Sequence, residues 1–358
     1  MQLNGFFRRS AKLPDFVGKP SESRDCRVER RFEAIAAFKN GLAVTASPKL
    51  SARGVRCLVL GAGGFIGKAV CDALVNEGAV VTGFGRSIPD VRNQEMTWLQ
   101  ANISDRDALA GALAKQDAVI HLVGTTDPER SNADPLADLS ANAEVTISVL
   151  ELARNAGLSR VVMASSGGTV YGPSYKTPIP ETAPTNPISA YGVSKLASEK
   201  YLAVFGRLYG IEHCVLRISN PYGPGQSPMR RQGLVAAAVW RALRAEVFEI
   251  WGDGSVIRDL IYIDDVARAF VQALAYHGPE TVLNVGSGVA VSVRHVVENV
   301  YAACGADVSL VRFRPGRPAD VPCNVLATDL IGGELGWRPF VGWVEGLAKT
   351  IEWMKRTL

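Results

Sequence analysis

The glycine-rich segment after the first apolar run constrains the fold more than any other feature of this sequence. Residues 56–60 form a short, mainly apolar run, and a helical pattern begins a few residues later, at 66. This order predicts a strand, a tight turn and a helix whose free N–H groups form its positive end. Glycine suits such a turn, because a Cβ would block a ligand's close approach. The segment indicates a dinucleotide pyrophosphate site made by Gly61, Gly63, Gly64, Phe65, Ile66 and Gly67.

Apolar runs and helical patterns alternate along the following 160 residues. The runs lie at 79–84, 118–123, 160–164 and 213–217, and the helical patterns at 66–76, 142–156 and 189–209. Because fully apolar strands separated by helices must be covered on both faces, the pattern predicts an α/β fold with a Rossmann-type doubly wound parallel sheet.

After about residue 220 the pattern becomes less regular and richer in Gly and Pro. Helices are expected near 233–245, 263–275 and 293–303. We therefore expect a dinucleotide-binding domain over 54–220 and a smaller C-terminal substrate-binding lobe over 221–358, interleaved with the sheet and sharing its core.

Charge separates the first 53 residues from the rest. This leader holds eleven Lys/Arg and five Asp/Glu, whereas the whole chain has a net charge of only +4. It has no apolar secretion signal, its acids argue against a transit peptide, and its composition predicts a disordered tail. The remainder carries no basic surplus, which argues against nucleic acid as a partner.

The cysteines and the hydropathy exclude two further classes. Six cysteines are scattered, with no pair at metal-ligand spacing, which predicts a reducing, cytoplasmic compartment and no metal site. Nowhere do about 18 apolar residues run together, so no membrane span is expected.

The second predicted strand leaves the choice of dinucleotide open. An acid about 20 residues beyond the glycines would hold the ribose of NAD, yet the segment reads Gly83-Phe84-Gly85-Arg86-Ser87. Arg86 and Ser87 could instead bind the 2′-phosphate of NADP, and the alternative for Arg86 is a solvated surface position.

Tyr191 and Lys195 lie four residues apart at the start of a predicted helix, so their side chains share one face. An ammonium about 5 Å from a phenol, at an effective dielectric of about 20, stabilises the phenolate by roughly 3 kcal/mol, or about two pK units. Tyr191 could then exchange a proton with a substrate hydroxyl. The alternative is that the two residues form an amphipathic surface pair. The upstream glycine turn favours the reactive pair over this alternative.

Together with these features, several ordered motifs resemble the extended short-chain dehydrogenases/reductases, and within them the NAD-dependent nucleotide-sugar epimerases and dehydratases typified by UDP-galactose 4-epimerase. The resemblance covers about residues 55–353. Its further motifs are Asp117-Ala118-Val119-Ile120-His121-Leu122, Ser165-Ser166-Gly167-Gly168-Thr169-Val170-Tyr171-Gly172, Leu216-Arg217, Asn220-Pro221-Tyr222-Gly223-Pro224-Gly225, Trp251-Gly252-Asp253-Gly254 and Arg258-Asp259-Leu260-Ile261-Tyr262-Ile263-Asp264-Asp265.

The resemblance implies roles for individual residues. Tyr191 would be the general base and acid, and Lys195 would bind the nicotinamide ribose and lower the pKa of the tyrosine. Asn220 would contact the nucleotide diphosphate, and Arg258 and Arg317 would bind its phosphates. The alternatives are a salt bridge from Arg258 to a neighbouring aspartate and a surface loop position for Arg317.

One position departs from the family pattern. The third catalytic group of the family is a Ser or Thr where this sequence has Gly167. Ser166 and Thr169 are the nearest replacements, and strand alternation would put Thr169 on the same side as position 167. Either hydroxyl could instead bond the backbone at a strand end.

The resemblance predicts a nucleotide-sugar 4-epimerase that acts on a UDP-hexose or UDP-N-acetylhexosamine through a transient 4-keto intermediate and bound NAD. The acidic pair of the 4,6-dehydratases is replaced by Gly168 and Thr169, which argues against that reaction. The alternatives are an NADPH-dependent 4-keto-sugar reductase and a catalytically silent dinucleotide-binding protein.

Two finer expectations also rest on the resemblance. Asn324 matches a position where a bulky residue excludes N-acetyl groups, so its moderate size predicts that N-acetylhexosamines are tolerated. A homodimer is expected through the helices at 141–156 and 189–209, whose apolar faces could equally pack on the sheet.

Overall fold

The computed structural model describes residues 51–89, 93–124, 128–174, 176–229, 233–316 and 321–358. The leader predicted to be disordered therefore lies outside the described residues, apart from its last three. Within the described ranges, no helix is long and apolar enough to span a membrane.

The structure contains strands of three to seven residues. In chain order they are β1 (Arg56–Leu60), β2 (Val80–Gly85), β3 (Thr97–Gln100), β4 (Ala118–His121), β5 (Arg160–Ser166), β6 (Glu212–Ile218), β7 (Asn220–Tyr222), β8 (Phe248–Trp251), β9 (Ile257–Tyr262), β10 (Val282–Val285), β11 (Ala290–Ser292) and β12 (Val311–Arg314).

The α-helices fall between these strands. They are α1 (Phe65–Asn76), α2 (Arg106–Leu113), α3 (Pro128–Ala133), α4 (Pro135–Leu139), α5 (Val145–Asn155), α6 (Ala190–Tyr209), α7 (Leu234–Leu243), α8 (Ile263–Leu274), α9 (Val293–Cys304), α10 (Asp329–Leu335) and α11 (Trp343–Thr357). The helix expected at 142–156 is in fact composite, because a π-helical turn, Ser140–Glu144, joins α4 to α5.

Seven parallel strands form the main sheet, in the order β10-β6-β5-β4-β1-β2-β3. The order runs outward from β1 in both directions, which is the doubly wound arrangement. The predicted Rossmann-type α/β fold is thus confirmed, and the five predicted strands are all present.

Both faces of the sheet are buried, because successive side chains of a strand point to opposite sides. Val59 of β1 belongs to the core that contains Val70 of α1 and Phe270 of α8. Its neighbour Leu58 belongs to a second core with Val149 of α5 and Leu202 of α6. Helices therefore cover the sheet on each side, as the continuous apolar runs predict.

The C-terminal part of the chain contributes to the main sheet and also builds smaller ones. β10 pairs with β6 along residues 215–218, and α8 packs against α1. Two smaller sheets have the orders β11-β9-β7 and β12-β8. The division of the chain at residue 220 stays a prediction.

Candidate active site

The turn between β1 and α1 presents free backbone N–H groups to an anion. No side chain caps α1 at its N-cap, Gly64, and no acidic residue lies in its first turn, which Phe65 and Ile66 open. Gly61 has a φ of +85°, a conformation that other residues rarely adopt. At Gly67 a Cβ would lie 2.2 Å from the carbonyl oxygen of Gly61, so only glycine lets the helix approach the turn this closely. These residues fit a dinucleotide pyrophosphate.

The loop after β2 borders this turn. A Cβ on Gly63 would lie 3.5 Å from the carbonyl oxygen of Ser87. Arg86 and Ser87 are exposed, and Gln100 donates from Nε2 to the Arg86 carbonyl oxygen at 3.1 Å. β2 ends at Gly85, so the residues at this strand end include no carboxylate.

The glycine turn and Lys195 meet beside the residues that follow β4. A Cβ on Gly61 would lie 3.4 Å from the backbone nitrogen of Val123. Lys195 donates from Nζ to the carbonyl oxygens of Val123, at 3.5 Å, and Ala164, at 3.4 Å. Because β4 and β5 are parallel to β1, the glycine turn and the Lys195 ammonium both lie at the carboxyl edge of the sheet, where ligands of such folds bind.

The first turn of α6 is held by its own N-cap residue and by two side chains of α3. Ser189 caps the helix by accepting from Gly192 N. Ser131 Oγ accepts from Tyr191 N at 3.1 Å, and Asn132 Oδ1 accepts from Ala190 N at 2.9 Å. Lys195 Nζ lies 5.9 Å from the centre of the Tyr191 ring, so the structure brings together the two side chains paired by their spacing.

The electrostatics of this pair differ from the expectation. Burial lowers the pKa of Lys195 to about 8, although the carboxylates of Asp138 and Glu199 oppose this shift. Burial and the Asp138 carboxylate raise the pKa of Tyr191 to about 12, against the effect of a hydrogen bond with Ser166. The net shift of the Tyr191 pKa is therefore upward, opposite to the expected lowering, because loss of solvation around the phenol is its largest cause.

Ser166 and Thr169 have different surroundings. β5 ends at Ser166, and the hydrogen bond with Tyr191 involves this serine. Residues 167–169 form a turn, so the strand alternation expected to orient Thr169 is wrong. Thr169 Oγ1 is buried and has no hydrogen-bond partner among the described residues.

Leu326 occupies the space that a side chain at position 167 would need. A Cβ there would lie 2.5 Å from Leu326 Cδ1 and 3.1 Å from the carbonyl oxygen of Arg217. Leu326 is itself fully buried. Leu326 therefore leaves no room for a hydroxyl-bearing side chain at position 167.

Two of the expected substrate-binding residues lie on adjacent strands. Asn220 of β7 donates from Nδ2 to the carbonyl oxygen of Asp259 at 3.1 Å. Arg258 of β9 donates from Nη1 to the carbonyl oxygens of Ile257, at 2.9 Å, and Val321, at 2.8 Å. Arg317 lies outside the described residues.

Asn324 is almost completely buried. It donates from Nδ2 to the carbonyl oxygen of Gly167 at 3.0 Å, so it lies beside the altered catalytic position. Its Oδ1 is buried with no hydrogen-bond partner among the described residues.

A buried ion pair behind the site was missed by the sequence analysis. Arg217 of β6 donates from Nη2 to Glu199 Oε2 at 2.6 Å, and both side chains are buried. Ser165 donates to Glu199 Oε1 at 2.5 Å, and Arg217 Nη1 donates to the hydroxyl of Tyr171 at 3.0 Å. Glu199 follows Lys195 by one helical turn, a spacing that could have identified it.

A second missed residue, Asp138, is a buried carboxylate of α4. Asn142 Nδ2 donates to its Oδ1 at 3.1 Å and to its carbonyl oxygen at 3.0 Å. No periodicity in the sequence could have placed this acid inside the molecule. Within the described ranges, the structure contains no group of three or more residues that could hold a metal ion.

Comparisons with known proteins identify relatives of this architecture. The model of the NAD dependent epimerase/dehydratase family matches residues 57–286. A UDP-glucose 4-epimerase from Mycolicibacterium smegmatis is 37% identical over 311 residues, which are 84% of this chain and 99% of the relative. Relatives of lower identity include a dTDP-4-dehydro-6-deoxyglucose reductase and dTDP-glucose 4,6-dehydratases.

Solved structures agree with this result. The UDP-glucose 4-epimerase of Thermotoga maritima, solved with UDP-glucose, has a TM-score of 0.80 and 34% identity, covering 84% of this chain and 99% of its own. The UDP-glucose 4-epimerase of Thermus thermophilus, solved with NAD, has a TM-score of 0.78 and 30% identity, covering 85% and 100%.

Proposed function

The chain belongs to the NAD-dependent epimerase/dehydratase family, and from this premise we propose that it is a nucleotide-sugar 4-epimerase acting on a UDP-hexose or UDP-N-acetylhexosamine with bound NAD. The observation that carries the proposal is the meeting of the glycine turn and Lys195 beside Val123, with Tyr191 on the same helix. A similarity that spans 99% of a UDP-glucose 4-epimerase supports the choice among the reactions of the family.

NAD would supply a hydride acceptor that later returns the hydride to the other face of the 4-keto sugar. The glycine turn and the start of α1 would hold its pyrophosphate. Lys195, whose Nζ bonds to backbone carbonyls near the ends of β4 and β5, would hold its nicotinamide ribose. Arg86 and Ser87, next to the turn, would lie near the adenosine ribose.

Tyr191 would take the proton of the sugar 4-hydroxyl and later return it. Ser166 would take the part of the hydroxyl missing at position 167, because its hydrogen bond favours the phenolate of Tyr191. Thr169 is the weaker candidate, since its Oγ1 has no described partner.

Asn220, Arg258 and Arg317 would bind the diphosphate of the substrate. The first two lie on the paired strands β7 and β9, so they would act from one surface. Two arginines provide the fork geometry that phosphate oxygens favour. Asn324, beside Gly167, would border the sugar and leave room for an N-acetyl group.

A panel of UDP-, GDP- and dTDP-sugars, incubated with the purified protein with and without NAD or NADPH, tests the proposal. We expect inversion at C4 of a UDP-sugar without net use of cofactor. Tyr191→Phe should abolish turnover while NAD binding persists; unchanged activity of this variant would refute the mechanism.

A second candidate is an NADPH-dependent reductase of a nucleotide 4-keto sugar. The exposed Arg86 directly after β2, without a carboxylate at that strand end, favours this alternative. Stoichiometric NADPH oxidation in the same panel would support it and exclude the epimerase.

The outer face of α6 supports the proposed homodimer. Val193, Tyr201, Val204 and Leu208 are exposed, and their spacing places them along one side of the helix. Sedimentation of the protein should give twice the mass of one chain. We also propose a cytoplasmic location, since the five described cysteines are all free.

A further inference from the structure

Asp138 reverses the usual partition of polar and apolar side chains. In the five-residue helix α4 this carboxylate is 1% exposed, while its neighbours Leu136 and Leu139 are 77% and 46% exposed. Burying a charge is costly unless it is paired or hydrogen-bonded. The position of Asp138 therefore requires a compensating partner inside the molecule.

The segment that carries Asp138 is fixed to the start of α6. Ser131 and Asn132, just before α4, accept hydrogen bonds from the backbone of Tyr191 and Ala190. Asp134 caps α4 by accepting from Ala137 N. These contacts hold α4 in register with the helix of the proposed catalytic pair.

Asn142 joins Asp138 to the surroundings of Lys195. Its Nδ2 donates to the Asp138 carboxylate, while its Oδ1 lies 3.3 Å from the point where Gly124 would carry a Cβ. Lys195 Nζ lies 2.9 Å from that same point. The amide and the ammonium therefore share one small space behind the strand ends.

We propose that Asp138 is a positioning residue: its buried carboxylate, fixed by Asn142, is the counter-charge that keeps the Lys195 ammonium protonated where the nicotinamide ribose binds. The proposal rests on the proposed function, in which Lys195 holds that ribose and Tyr191 transfers the proton.

Among the carboxylates of the described residues, Asp138 is the one that acts on both members of the pair. Glu199, one turn along α6, is paired with Arg217 of β6; it also raises the pKa of Lys195, after Asp138, but is not among the groups that shift Tyr191. His121 of β4 is uncharged, because burial and Lys195 lower its pKa to about 3. Asp138 raises the pKa of both Lys195 and Tyr191. Its removal therefore acts on both groups in the same direction.

Asp138→Asn provides the test, through the pH dependence of kcat/KM. Without the carboxylate, Tyr191 should ionise and Lys195 should lose its proton at lower pH. The acidic and alkaline limbs should both move down by about one pH unit, an order of magnitude typical of removing one buried charge. The pH at which NAD affinity begins to fall should also be about one unit lower in Asp138→Asn than in the parent protein.

Asp134→Ala is the matched control, because it removes the cap of the same helix but not the buried charge. At most it should lower the maximum value of kcat/KM, and both limbs of the pH profile should stay at the pH of the parent protein. The proposal would be overturned if folded Asp138→Asn kept both limbs and the midpoint of NAD affinity at their original pH. An equal shift in Asp134→Ala would also overturn it. If Asp138→Asn does not fold, Asp138→Ser removes the same charge and must give the same shift.

The two readouts separate this proposal from the proposed function. If Tyr191→Phe stays active, the kinetic limbs lose their assignment, but the pH dependence of NAD affinity still reports the protonation of Lys195. A shift of that midpoint in Asp138→Asn then supports the role of Asp138 although the assigned mechanism has failed.

Discussion

At the scale of single residues, position 167 has no room for a hydroxyl-bearing side chain. The nearest obstacle to a Cβ is Leu326, whose side chain is fully buried, and the next is the backbone of β6. Leu326 belongs to a small core with Val170, Tyr171 and Ile179. Moving it would therefore disturb a packed cluster.

Gly167→Ser should lower the free energy of unfolding by about 1–3 kcal/mol, because overpacking forces side chains from their preferred rotamers. Urea unfolding measures the change. Gly168→Ser is the matched control, since a Cβ there would meet only Ser166 Oγ, at 3.9 Å, and it should change stability little. Equal stability of the two variants would show that Leu326 can repack around the new side chain without a loss of stability.

His121 should make the protein sensitive to acid. Its ring is buried, hydrogen-bonded to Thr146 at 3.1 Å, and burial lowers its pKa to about 3. Between the unfolded pKa, about 6.5, and this value the unfolded state binds one more proton, so stability falls as the pH falls. The loss approaches about 1.4 kcal/mol per pH unit.

We expect His121→Gln to remove this dependence. The free energy of unfolding, measured by urea from pH 7 to pH 4, should fall less steeply in the variant than in the parent protein. If the free energy of unfolding depended on pH equally in the variant and in the parent protein, His121 would not be the cause of the acid sensitivity.

The sequence predicts residues well where the evidence is local. Tyr191 and Lys195 share a helix face at a fixed spacing, and the structure brings them together. The pKa of Tyr191 depends on burial by distant segments, which spacing does not reveal. Thr169 was misjudged because the period of a strand was extended beyond the end of β5.

At the scale of elements, the Glu199–Arg217 pair ties α6 to β6. Both side chains are buried, so each needs the other to offset its loss of solvation. The pair lies one turn beyond Lys195 and joins the helix of the proposed site to the sheet.

Arg217→Met should lower the free energy of unfolding by about 3–5 kcal/mol, because it leaves Glu199 charged and unpaired in the interior. Glu199→Met together with Arg217→Met should recover a large part of this loss. Arg56→Met, which breaks the exposed Arg56–Asp117 pair, is the control and should cost about 1 kcal/mol or less. Additive effects of the two buried substitutions in urea unfolding would contradict the coupling.

The elements predicted best are those with long, uniform patterns. The central strands β1, β4 and β5 are buried on both faces and read as continuous apolar runs. β3 is a short edge strand with mostly exposed side chains, so it has no such pattern. The π-helical turn before α5 was missed because its side chains follow a helical pattern almost as an α-helix would.

At the scale of the whole molecule, the main sheet is completed by a strand from the C-terminal part of the chain. β10 covers the edge of β6, and α8, which follows β9, packs on α1, the helix that the glycine turn precedes. The sequence indicated a lobe interleaved with the sheet, but pairing between segments this distant could not be read from a local pattern.

A chain cut after residue 220 should therefore fail to form the dinucleotide site. Residues 51–220 lack β10, which leaves the β6 ladder unpaired along 215–218, and lack α8, whose Val266 and Phe270 share the core with Val70 of α1. An open, apolar sheet edge is an aggregation hazard, and α1 would lose a large part of its packing surface. Circular dichroism on heating should show no cooperative transition for this fragment, and calorimetry should show no NAD binding, whereas the full chain should show both. A cooperative transition with NAD binding by residues 51–220 would mean that the first six strands of the sheet fold on their own, and that the C-terminal strand and helix only extend a site already formed.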